Sequence, residues 1–503
     1  MKKLDVLLIN PGNTSSVYQQ LSIKFSAIEP PIFCGLFANF LLKKGRSVKI
    51  LDIPAQNMTP AQVADAVKVL QPTLITVAVY GFQPSASTQN MHSTRQICKA
   101  IKAANPESKI LVVGTHPAAL PERTLKEESV DFVCTREGPL TIFQLVEALQ
   151  SSHPDFNKVA DLCYVNNGEV CFTKNAQLIR ELDIELPGIA WDLLPMDKYR
   201  AHNWHCFDDV DKRSPYASIH TSLGCPYKCS FCCINTPFSG PNYISTGPTY
   251  RMWGPQMVVK EIDLLVTKFG VRNIKIADEM FLLNESHVNT ILDRLIERRY
   301  DLNIWAYGRI DTLKPSFLEK SLRAGLRWWA LGIESGSKHV RDGAQKKLKN
   351  DDIVGVVQKI RDAGVYAGCN YIFGLPDDTM ETMQETLDLS LEINSEYANF
   401  YSAMAYPGSP LYEMAKEKGL PLPDDPGGPG WIGYSQHAYE TLPLPTDRVP
   451  AEDVLRFRDE AFLKYFTSPG YLKMVMTTFG SRAVEHIQEM TGLNKLRRKI
   501  LEN

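Results

Sequence analysis

A loop with three cysteines holds the residues whose types and spacing most clearly suggest chemistry. Cys225, Cys229 and Cys232 stand in the pattern C-x3-C-x2-C within the segment LGCPYKCSFC. Such a loop can place three thiolates around three irons of a cubane [4Fe–4S] cluster. These clusters usually take four cysteine ligands, so a set of three leaves one iron open to bind another molecule. The spacing therefore predicts a cluster with one open coordination position.

A zinc site is the alternative for this loop. Cys233 follows directly and brings four thiols within nine positions, and zinc readily takes four thiolates. However, Cys232 and Cys233 are adjacent, which is awkward for two tetrahedral ligands of one ion, and no second C-x2-C pair follows. We therefore favour the cluster, with Cys233 as a packed thiol beside the site rather than a ligand.

The cysteine spacing, with the aromatic Phe231 before the last cysteine, resembles the signature of the radical S-adenosylmethionine (SAM) superfamily. The resemblance implies that the open iron chelates the amino and carboxylate groups of SAM. It also implies that one electron from the cluster cleaves SAM to a 5′-deoxyadenosyl radical. An external one-electron reductant of the flavodoxin or ferredoxin type is then an expected partner.

Composition narrows the class of protein. A chain of 503 residues is expected to form two or three domains, and a net charge of −2 argues against a nucleic-acid partner. Outside the loop the cysteines are scattered singly, which is typical of a reducing compartment. The N-terminal apolar run is too short for a signal peptide, and no stretch reaches the length of a membrane span. We expect a soluble cytoplasmic protein without a membrane span.

Residues 1–150 alternate short β-branched runs with helical patterns, which predicts a doubly wound, Rossmann-like α/β domain. Its strands are predicted at Val6–Asn10, Val48–Asp52, Leu74–Val79, Ile110–Gly114 and Phe132–Cys134. Ligands of such sheets bind at the carboxyl ends of the strands. The loops after Asn10, Val79 and Gly114 are therefore expected to line a site. A dinucleotide is not expected, because no G-x-G-x-x-G follows the first strand.

Several segments of this domain resemble the cobalamin-binding domain that precedes many radical SAM cores. They are Asn10-Pro11, the run from Pro30 to Leu41, Val113-Gly114-Thr115-His116-Pro117 and Arg136-Glu137-Gly138-Pro139. The resemblance implies that cobalamin is a cofactor. It implies the following cobalamin-binding residues: Thr14, Tyr80, Gly114, Thr115 and Glu137.

The loop after the first strand departs from the cobalamin pattern. The segment from Pro11 to Ser16 lacks the histidine of D-x-H-x-x-G that ligates cobalt in classical cobalamin domains. We therefore expect cobalamin to bind with no histidine on cobalt, and His116 to be a loop residue rather than a ligand. The alternative is a vestigial domain that binds no cofactor.

The rest of the chain is predicted as a connector over 151–215, a partial (β/α)6 radical SAM barrel over 216–410, and a small, mostly helical C-terminal region over 411–503. The barrel strands are predicted at Ala217–Leu223, Asn273–Asp278, Asn303–Tyr307, Trp328–Glu334, Tyr366–Phe373 and Tyr397–Ala403. Six such βα units imply a barrel open on one side. Catalytic groups of parallel barrels lie at the carboxyl ends of the strands, where Cys225 is also predicted.

The ends of the barrel strands carry short segments that match the radical SAM family. A carboxylate after the second strand suits the ammonium group of SAM, the guanidinium of Arg309 suits a carboxylate, and the glycine of Gly374-Leu375-Pro376 permits close approach of the backbone to adenine. Glu334 is a candidate for the ribose hydroxyls and the sulfonium charge. The resemblance implies the following SAM-binding residues: Phe231, Asp278, Glu279, Arg309, Glu334, Ser335, Gly374 and Pro376. No residue is assigned a catalytic role.

Together these features predict a cobalamin-dependent radical SAM enzyme that methylates an unactivated carbon of a small molecule. The resemblance implies that one SAM donates the methyl group through cobalamin and a second SAM supplies the radical. The alternatives are a non-methylating cyclase, oxidase or rearrangement enzyme, an RNA methylthiotransferase, and a non-catalytic metal- or cobalamin-binding protein. The identity of the substrate is left open.

Overall fold

The computed structural model of the chain describes residues 3–12, 14–81, 83–240, 249–348, 352–493 and 496–502. The strands are β1 (Val6–Asn10), β2 (Val48–Asp52), β3 (Leu74–Val79), β4 (Ile110–Gly114), β5 (Phe132–Cys134), β6 (Leu162–Asn166), β7 (Glu169–Phe172), β8 (Tyr216–Ile219), β9 (Ser222–Leu223), β10 (Arg251–Met252), β11 (Asn273–Ile276), β12 (Asn303–Arg309), β13 (Leu326–Glu334), β14 (Tyr366–Phe373) and β15 (Tyr397–Ser402).

The helices lie between and after these strands. They are α1 (Thr14–Tyr18), α2 (Leu21–Lys24), α3 (Ile32–Lys43), α4 (Ile53–Gln56), α5 (Pro60–Leu70), α6 (Ala86–Ala104), α7 (Thr115–Ala119), α8 (Pro121–Glu127), α9 (Pro139–Gln150), α10 (Leu182–Glu185), α11 (Thr236–Ser239), α12 (Pro255–Phe269), α13 (Glu285–Arg298), α14 (Pro315–Ser321), α15 (Lys338–Gly343), α16 (Ile353–Asp362), α17 (Met380–Ile393), α18 (Pro410–Glu417), α19 (Ala451–Phe466), α20 (Pro469–Phe479) and α21 (Ser481–Leu493). None of them is long and apolar enough to cross a bilayer, in the part of the chain that the structure describes.

The first sheet has seven strands in the order β2-β1-β3-β4-β5-β6-β7. Its first five strands are parallel, and all five have the predicted bounds. β3 and β4 are buried along their whole length, because helices cover both faces of such a sheet. The strand order changes direction between β1 and β3, and this switch point is where ligands of doubly wound sheets bind.

The second sheet is an all-parallel half-barrel with the order β15-β14-β13-β12-β11-β8. Intervening helices include α12, which begins at Pro255 and ends before Gly270. The α/β fold class with a partial six-stranded barrel is therefore confirmed. The three C-terminal helices are α19, α20 and α21, and α19 packs against β14 and β15.

Two parts of the fold differ from the sequence prediction. β6 and β7, which lie in the predicted connector, extend the first sheet as an antiparallel hairpin. The predicted strand Ala217–Leu223 is broken, since β9 leaves the barrel and pairs with β10 instead. The break follows from hydrogen bonds to Asp278, which accepts from the backbone N–H of Thr221 at 2.6 Å. The domain limits at 150, 215 and 410 stay predictions.

Candidate functional site

The largest of the cavities described lies at the carboxyl ends of the half-barrel strands and measures about 250 Å³. The thiols of Cys225, Cys229 and Cys232 line it together. Side chains from the ends of β12, β13, β14 and β15 form the barrel side of its wall, and residues 83–85 of the first domain form another side. We call this space the cysteine cavity. It is where parallel barrels place their reactive groups.

The cysteine loop is held in place by Asn235. The Cys225 N–H donates to Asn235 Oδ1 at 3.0 Å, and Asn235 Nδ2 donates to the Cys225 carbonyl at 2.8 Å. Further along the loop, Ser230 N–H donates to the Ala344 carbonyl at 3.0 Å and Cys232 N–H to the Cys229 carbonyl at 3.1 Å. The loop is thus attached both to itself and to the segment after β13. The sequence reasoning missed Asn235, whose only signal is its place three residues after Cys232.

The donor set of this loop consists of three thiols that line one cavity, and iron–sulfur clusters take cysteine thiolates as ligands. Burial raises the pKa of Cys225 to about 12 and also raises that of Cys229, and a thiol has to lose its proton to become a metal ligand. The three thiols line the cavity from separate positions. Among the described residues, no three His, Cys, Asp or Glu side chains converge as a metal-binding group. Cys233 is buried on the same wall and packs with Met404 and Tyr406.

Glu334 and Lys346 form a buried ion pair on the cavity wall. Lys346 Nζ lies 2.6 Å from Glu334 Oε1, and both side chains are nearly inaccessible to solvent. Burial opposes the charge of Lys346, but Glu334 and then Cys229 raise its pKa above the usual value. Glu334 has a φ of +68°, which costs energy for a residue other than glycine and is typical of functional sites. Lys346 was not predicted from the sequence.

Arg309 also lines the cavity, as predicted, but its charge is already matched. Its Nε donates to Asp311 Oδ1 at 3.0 Å and its Nη2 to the Lys347 carbonyl at 2.8 Å. The guanidinium lies over the ring of Tyr227, 4.1 Å from its centroid. A second ligand of Arg309 therefore has to bind beside these partners.

The two acidic residues after β11 have different positions. Glu279 lines the cysteine cavity, and burial raises the pKa of its carboxyl group. Asp278 is 1% exposed, and its carboxylate accepts from Thr221 Oγ1 at 2.5 Å and Ser222 Oγ at 2.6 Å. These contacts do not fit the expected role of Asp278 at the SAM amine, because its oxygens are used to hold the β8–β9 turn.

Of the remaining predicted SAM-binding residues, some line the cysteine cavity and others do not. Phe231 lies on the cavity wall, whereas Ser335 is buried and contacts Thr386 at 3.1 Å. Gly374 has a φ of +80°, and a Cβ there would lie 2.6 Å from Cγ1 of Val454 on α19. Helix packing alone therefore requires glycine at this position, and the contact with adenine stays a prediction. Pro376 is not among the described residues that line the cavity.

Two smaller cavities lie at the strand-end edge of the first sheet. One, of about 70 Å³, lies at the switch point and is lined by Asn10, Pro11, Gly12 and Tyr80. The other, of about 60 Å³, is lined by Tyr80 and Thr115 on one side and by barrel residues such as Glu279 on the other. Tyr80 stacks on Phe33 with ring centroids 3.7 Å apart. The second of these cavities shares wall residues such as Gln83 and Glu279 with the cysteine cavity, and the first shares Phe33 and Tyr80 with the second.

The other predicted cobalamin-binding residues are engaged in the protein itself. Glu137 Oε1 lies 2.6 Å from Arg251 Nη1, and its Oε2 accepts from the backbone N–H of Ile179 at 3.0 Å. A Cβ at Gly114 would lie 2.0 Å from the Val79 carbonyl oxygen, so glycine is needed for strand packing. Thr14 begins α1, and its side chain lies outside the described residues.

His116 is buried away from these cavities. Its ring packs edge-on against Trp431 with centroids 4.4 Å apart, and its Nδ1 lies 3.2 Å from Thr88 Oγ1. Burial lowers its pKa to about 3. That His116 is not a cobalt ligand stays a prediction.

Comparison with known proteins supports both halves of this picture. The family model described as the radical SAM superfamily matches residues 219–390, and the B12 binding domain model matches residues 21–146. An uncharacterized methyltransferase of Pyrococcus horikoshii is 28% identical, over 84% of this chain and 85% of that protein. The anaerobic magnesium-protoporphyrin IX monomethyl ester cyclase of Rubrivivax gelatinosus is 25% identical, over 82% of this chain and 70% of that protein.

Solved structures show the same fold. The radical SAM methyltransferase TsrM of Kitasatospora setae, with cobalamin and a [4Fe–4S] cluster bound, is 17% identical with a TM-score of 0.65, covering 93% of this chain and 89% of that one. A second structure of TsrM, with tryptophan substrate and a SAM analogue, gives a TM-score of 0.68 at 17% identity, covering 97% and 98%. The cofactors of the two matched domains are a [4Fe–4S] cluster with SAM, and cobalamin. The chain is therefore a radical SAM enzyme with an N-terminal B12-binding domain, similar in architecture to the cobalamin-dependent radical SAM methyltransferases.

Proposed function

We propose that the protein is a methyltransferase that uses SAM in two ways to methylate an unactivated carbon of a small molecule. The observation that carries this proposal is the composition of the cysteine cavity wall. Thiols of the barrel loop and residues 83–85, which follow β3 of the B12-binding domain, line one space. A small molecule in that space is within reach of both domains.

The roles of individual residues follow from their contacts. Cys225, Cys229 and Cys232 are the proposed cluster ligands, because all three thiols face the cavity. Glu279 is the proposed partner of the SAM amine, since its carboxylate faces the cavity while that of Asp278 is occupied. Glu334, held by Lys346, is proposed to accept from the ribose hydroxyls.

Cobalamin is proposed to bind at the switch point between β1 and β3. When bound there, it would supply the methyl group, and the cluster with SAM would supply the radical. The two cavities at this edge, of about 60 and 70 Å³, mark where the proposed site lies. The protein's task is then to orient the substrate between the two cofactors and to exclude water. An external one-electron reductant completes the scheme.

The ratio of two products tests the proposal. Anaerobically reconstituted protein, supplied with SAM, cobalamin, a reductant and the substrate, should form S-adenosylhomocysteine and 5′-deoxyadenosine in about equal amounts. The product should be heavier by one methyl group in mass spectrometry. Deoxyadenosine without matching S-adenosylhomocysteine would overturn methylation and favour a cyclase, oxidase or rearrangement enzyme, of which the Rubrivivax relative is a named example.

A further inference from the structure

A second large cavity, of about 170 Å³, lies inside the half-barrel. One side of its wall is built from strands β11, β12 and β15, from residues 202–204, from the loop at 435–437, and from α19 and α21, and the other side from residues 18–26, Gln83 and Gln89 of the first domain. We call it the barrel chamber. It adjoins the cysteine cavity, and the two share Gln83, Tyr307, Tyr401 and Gln436. A molecule in the chamber can therefore extend one end toward the cysteine loop.

Aromatic side chains form much of the chamber wall. Trp204 stacks on Tyr397 with ring centroids 5.3 Å apart and meets Trp305 edge-on at 5.0 Å. Phe462 on α19 adds another ring to the wall. Such surfaces bind flat, apolar groups, since ring faces and edges gain energy when they are buried against one another. The chamber therefore suits an aromatic group.

The charges around the chamber are unbalanced. Among the described residues that line it, none carries a carboxylate, whereas Lys275 and Arg458 do line it. Lys275 is matched by Glu29, with Nζ 3.1 Å from the carboxylate. Arg458 on α19 is different, because it shares one acid with a second arginine, Arg498.

Arg458 and Arg498 both pair with Asp459. Arg458 Nη1 lies 2.5 Å from Asp459 Oδ1, and Arg498 Nε lies 3.2 Å from Asp459 Oδ2. Both arginines are almost fully buried, and in the described part of the chain neither has another carboxylate partner. Burial, followed by the charges of Arg458 and Arg498, lowers the pKa of nearby His437. One buried positive charge is therefore in excess.

A buried charge without a partner is costly, so this excess favours an anionic ligand. Arg458 is the arginine that lines the chamber. Its Nε donates to the Phe400 carbonyl at 2.8 Å and its Nη1 to Asp459. Its Nη2 has no hydrogen-bond partner among the described residues, and a guanidinium nitrogen in that position can donate to a carboxylate.

We propose that the barrel chamber is the substrate site, and that the substrate is a small aromatic molecule with a carboxylate that pairs with Arg458. That the bound molecule is a substrate rests on the proposed function. Its aromatic and anionic character is inferred from the residues of the chamber alone. The aromatic part lies against Trp204, Trp305 and Phe462. The opposite end passes between Tyr307 and Tyr401 toward the cysteine cavity.

Calorimetric titration of the full-length protein with two matched probes tests the proposal. Indolepropionate carries the carboxylate, and indolepropionamide has the same shape without the charge. A charge-assisted hydrogen bond contributes about 1.5–3 kcal/mol, or at least about tenfold in affinity. We expect indolepropionate to bind at least about tenfold more tightly than the amide, and more tightly than the aliphatic hexanoate.

Substitutions on α19 test which residue produces the preference for the carboxylate probe. Arg458→Gln should remove the preference for carboxylate over amide. Arg456→Gln is the matched control, because Arg456 is exposed on the same helix and pairs with Asp453 at the surface. Phe462→Trp, which fills the chamber without changing charge, should weaken both probes. Equal affinity for the two probes in the unchanged protein, or a preference that survives Arg458→Gln, would overturn the proposal.

The design separates this inference from the proposed function. Should Arg458→Gln fail to fold, the preference of the unchanged protein for the carboxylate and the weaker binding of both probes to Phe462→Trp still decide where the probes bind. Neither measurement uses SAM, cobalamin or turnover. Failure of the product-ratio experiment with intact probe binding would therefore count against methylation alone, and the reverse result would count against the chamber alone.

Discussion

The two sheets of this protein present their strand ends to the same interface, but they use them differently. At the half-barrel edge, polar side chains face an open cavity, as Cys229, Glu279 and Glu334 do. At the edge of the first sheet, the corresponding groups are engaged within the protein, either with the barrel or with the first domain itself. Glu137 pairs with Arg251, and Tyr80 donates from its hydroxyl to the Glu137 carbonyl at 3.2 Å.

The strand-end rule is informative at the open edge and less so at the edge that the barrel covers. The rule states that ligands of parallel sheets bind at the carboxyl ends of strands. It identified cavity residues in the barrel because that edge opens onto free space. At the first sheet, part of the same edge forms the interface between the domains. A polar residue there can therefore stabilise the interface instead of binding a ligand.

The largest expected effect tests the open edge. Alanine at Cys225, Cys229 or Cys232 should abolish both the absorbance of the cluster and reductive cleavage of SAM, because three ligands are the minimum for holding the cluster. Cys233→Ala is the matched control and should keep both signals. Loss of metal in Cys233→Ala, with zinc in the purified protein, would contradict the assignment.

Glu137→Gln tests the edge of the first sheet that forms the domain interface. Removal of this charge leaves Arg251 buried without its ion-pair partner, which should lower the free energy of unfolding by about 3 kcal/mol. Glu147→Gln breaks the exposed pair with Arg46 and should cost less than about 1 kcal/mol. Denaturant unfolding of the two variants measures the difference. Weaker cobalamin binding at unchanged stability would instead assign Glu137 to the cofactor.

Within the barrel, the adjacent acids Asp278 and Glu279 give the same contrast between an engaged and a free side chain. Glu279→Gln should weaken SAM binding by about tenfold, the loss expected for one charge-assisted hydrogen bond, with little change in stability. Asp278→Asn should do the opposite and lower stability by about 2 kcal/mol, because its buried hydrogen bonds to Thr221 and Ser222 are lost. Titration calorimetry and unfolding measure the two effects. Exchange of the two phenotypes would contradict the structural assignment of Asp278.

The smallest effect concerns the buried His116. Its pKa is lowered from 6.5 to about 3 by burial, so the unfolded chain binds more protons than the folded one between these values. The stability that His116 contributes is therefore present above pH 6.5 and is lost as the pH falls below it. When the pH falls from above 6.5 to 5.5, the free energy of unfolding should decrease by about 1 kcal/mol less in His116→Gln than in the unchanged protein.

His153→Gln is the control for this pH profile, because His153 is exposed and should leave the profile unchanged. The same variants test the cobalt site. With cobalamin bound, the Co(II) electron paramagnetic resonance spectrum should show no nitrogen splitting in either the unchanged protein or His116→Gln. A nitrogen splitting that disappears in His116→Gln would show that this edge opens far enough to present the imidazole to cobalt.

Local patterns in the sequence determined the α/β class, the bounds of the five parallel strands of the first sheet and the loop that carries the cysteines. The five parallel strands of the first sheet were predicted at their observed limits, since buried β-branched runs bounded by turn residues are a local signal. The spacing of Cys225, Cys229 and Cys232 is local too. Both properties depend on residues that are close in sequence, so they can be inferred without knowing how distant segments meet.

Only the tertiary structure decided which side chains are free to bind a ligand. Asp278 and Glu279 are neighbours with the same charge, and they differ because Thr221 and Ser222 occupy one carboxylate. Lys346 reaches Glu334 through folding of the segment after α15. The barrel chamber is built from segments as distant as residues 18 and 490. Burial, ion pairing and cavity shape depend on such long-range contacts, and no local pattern encodes them.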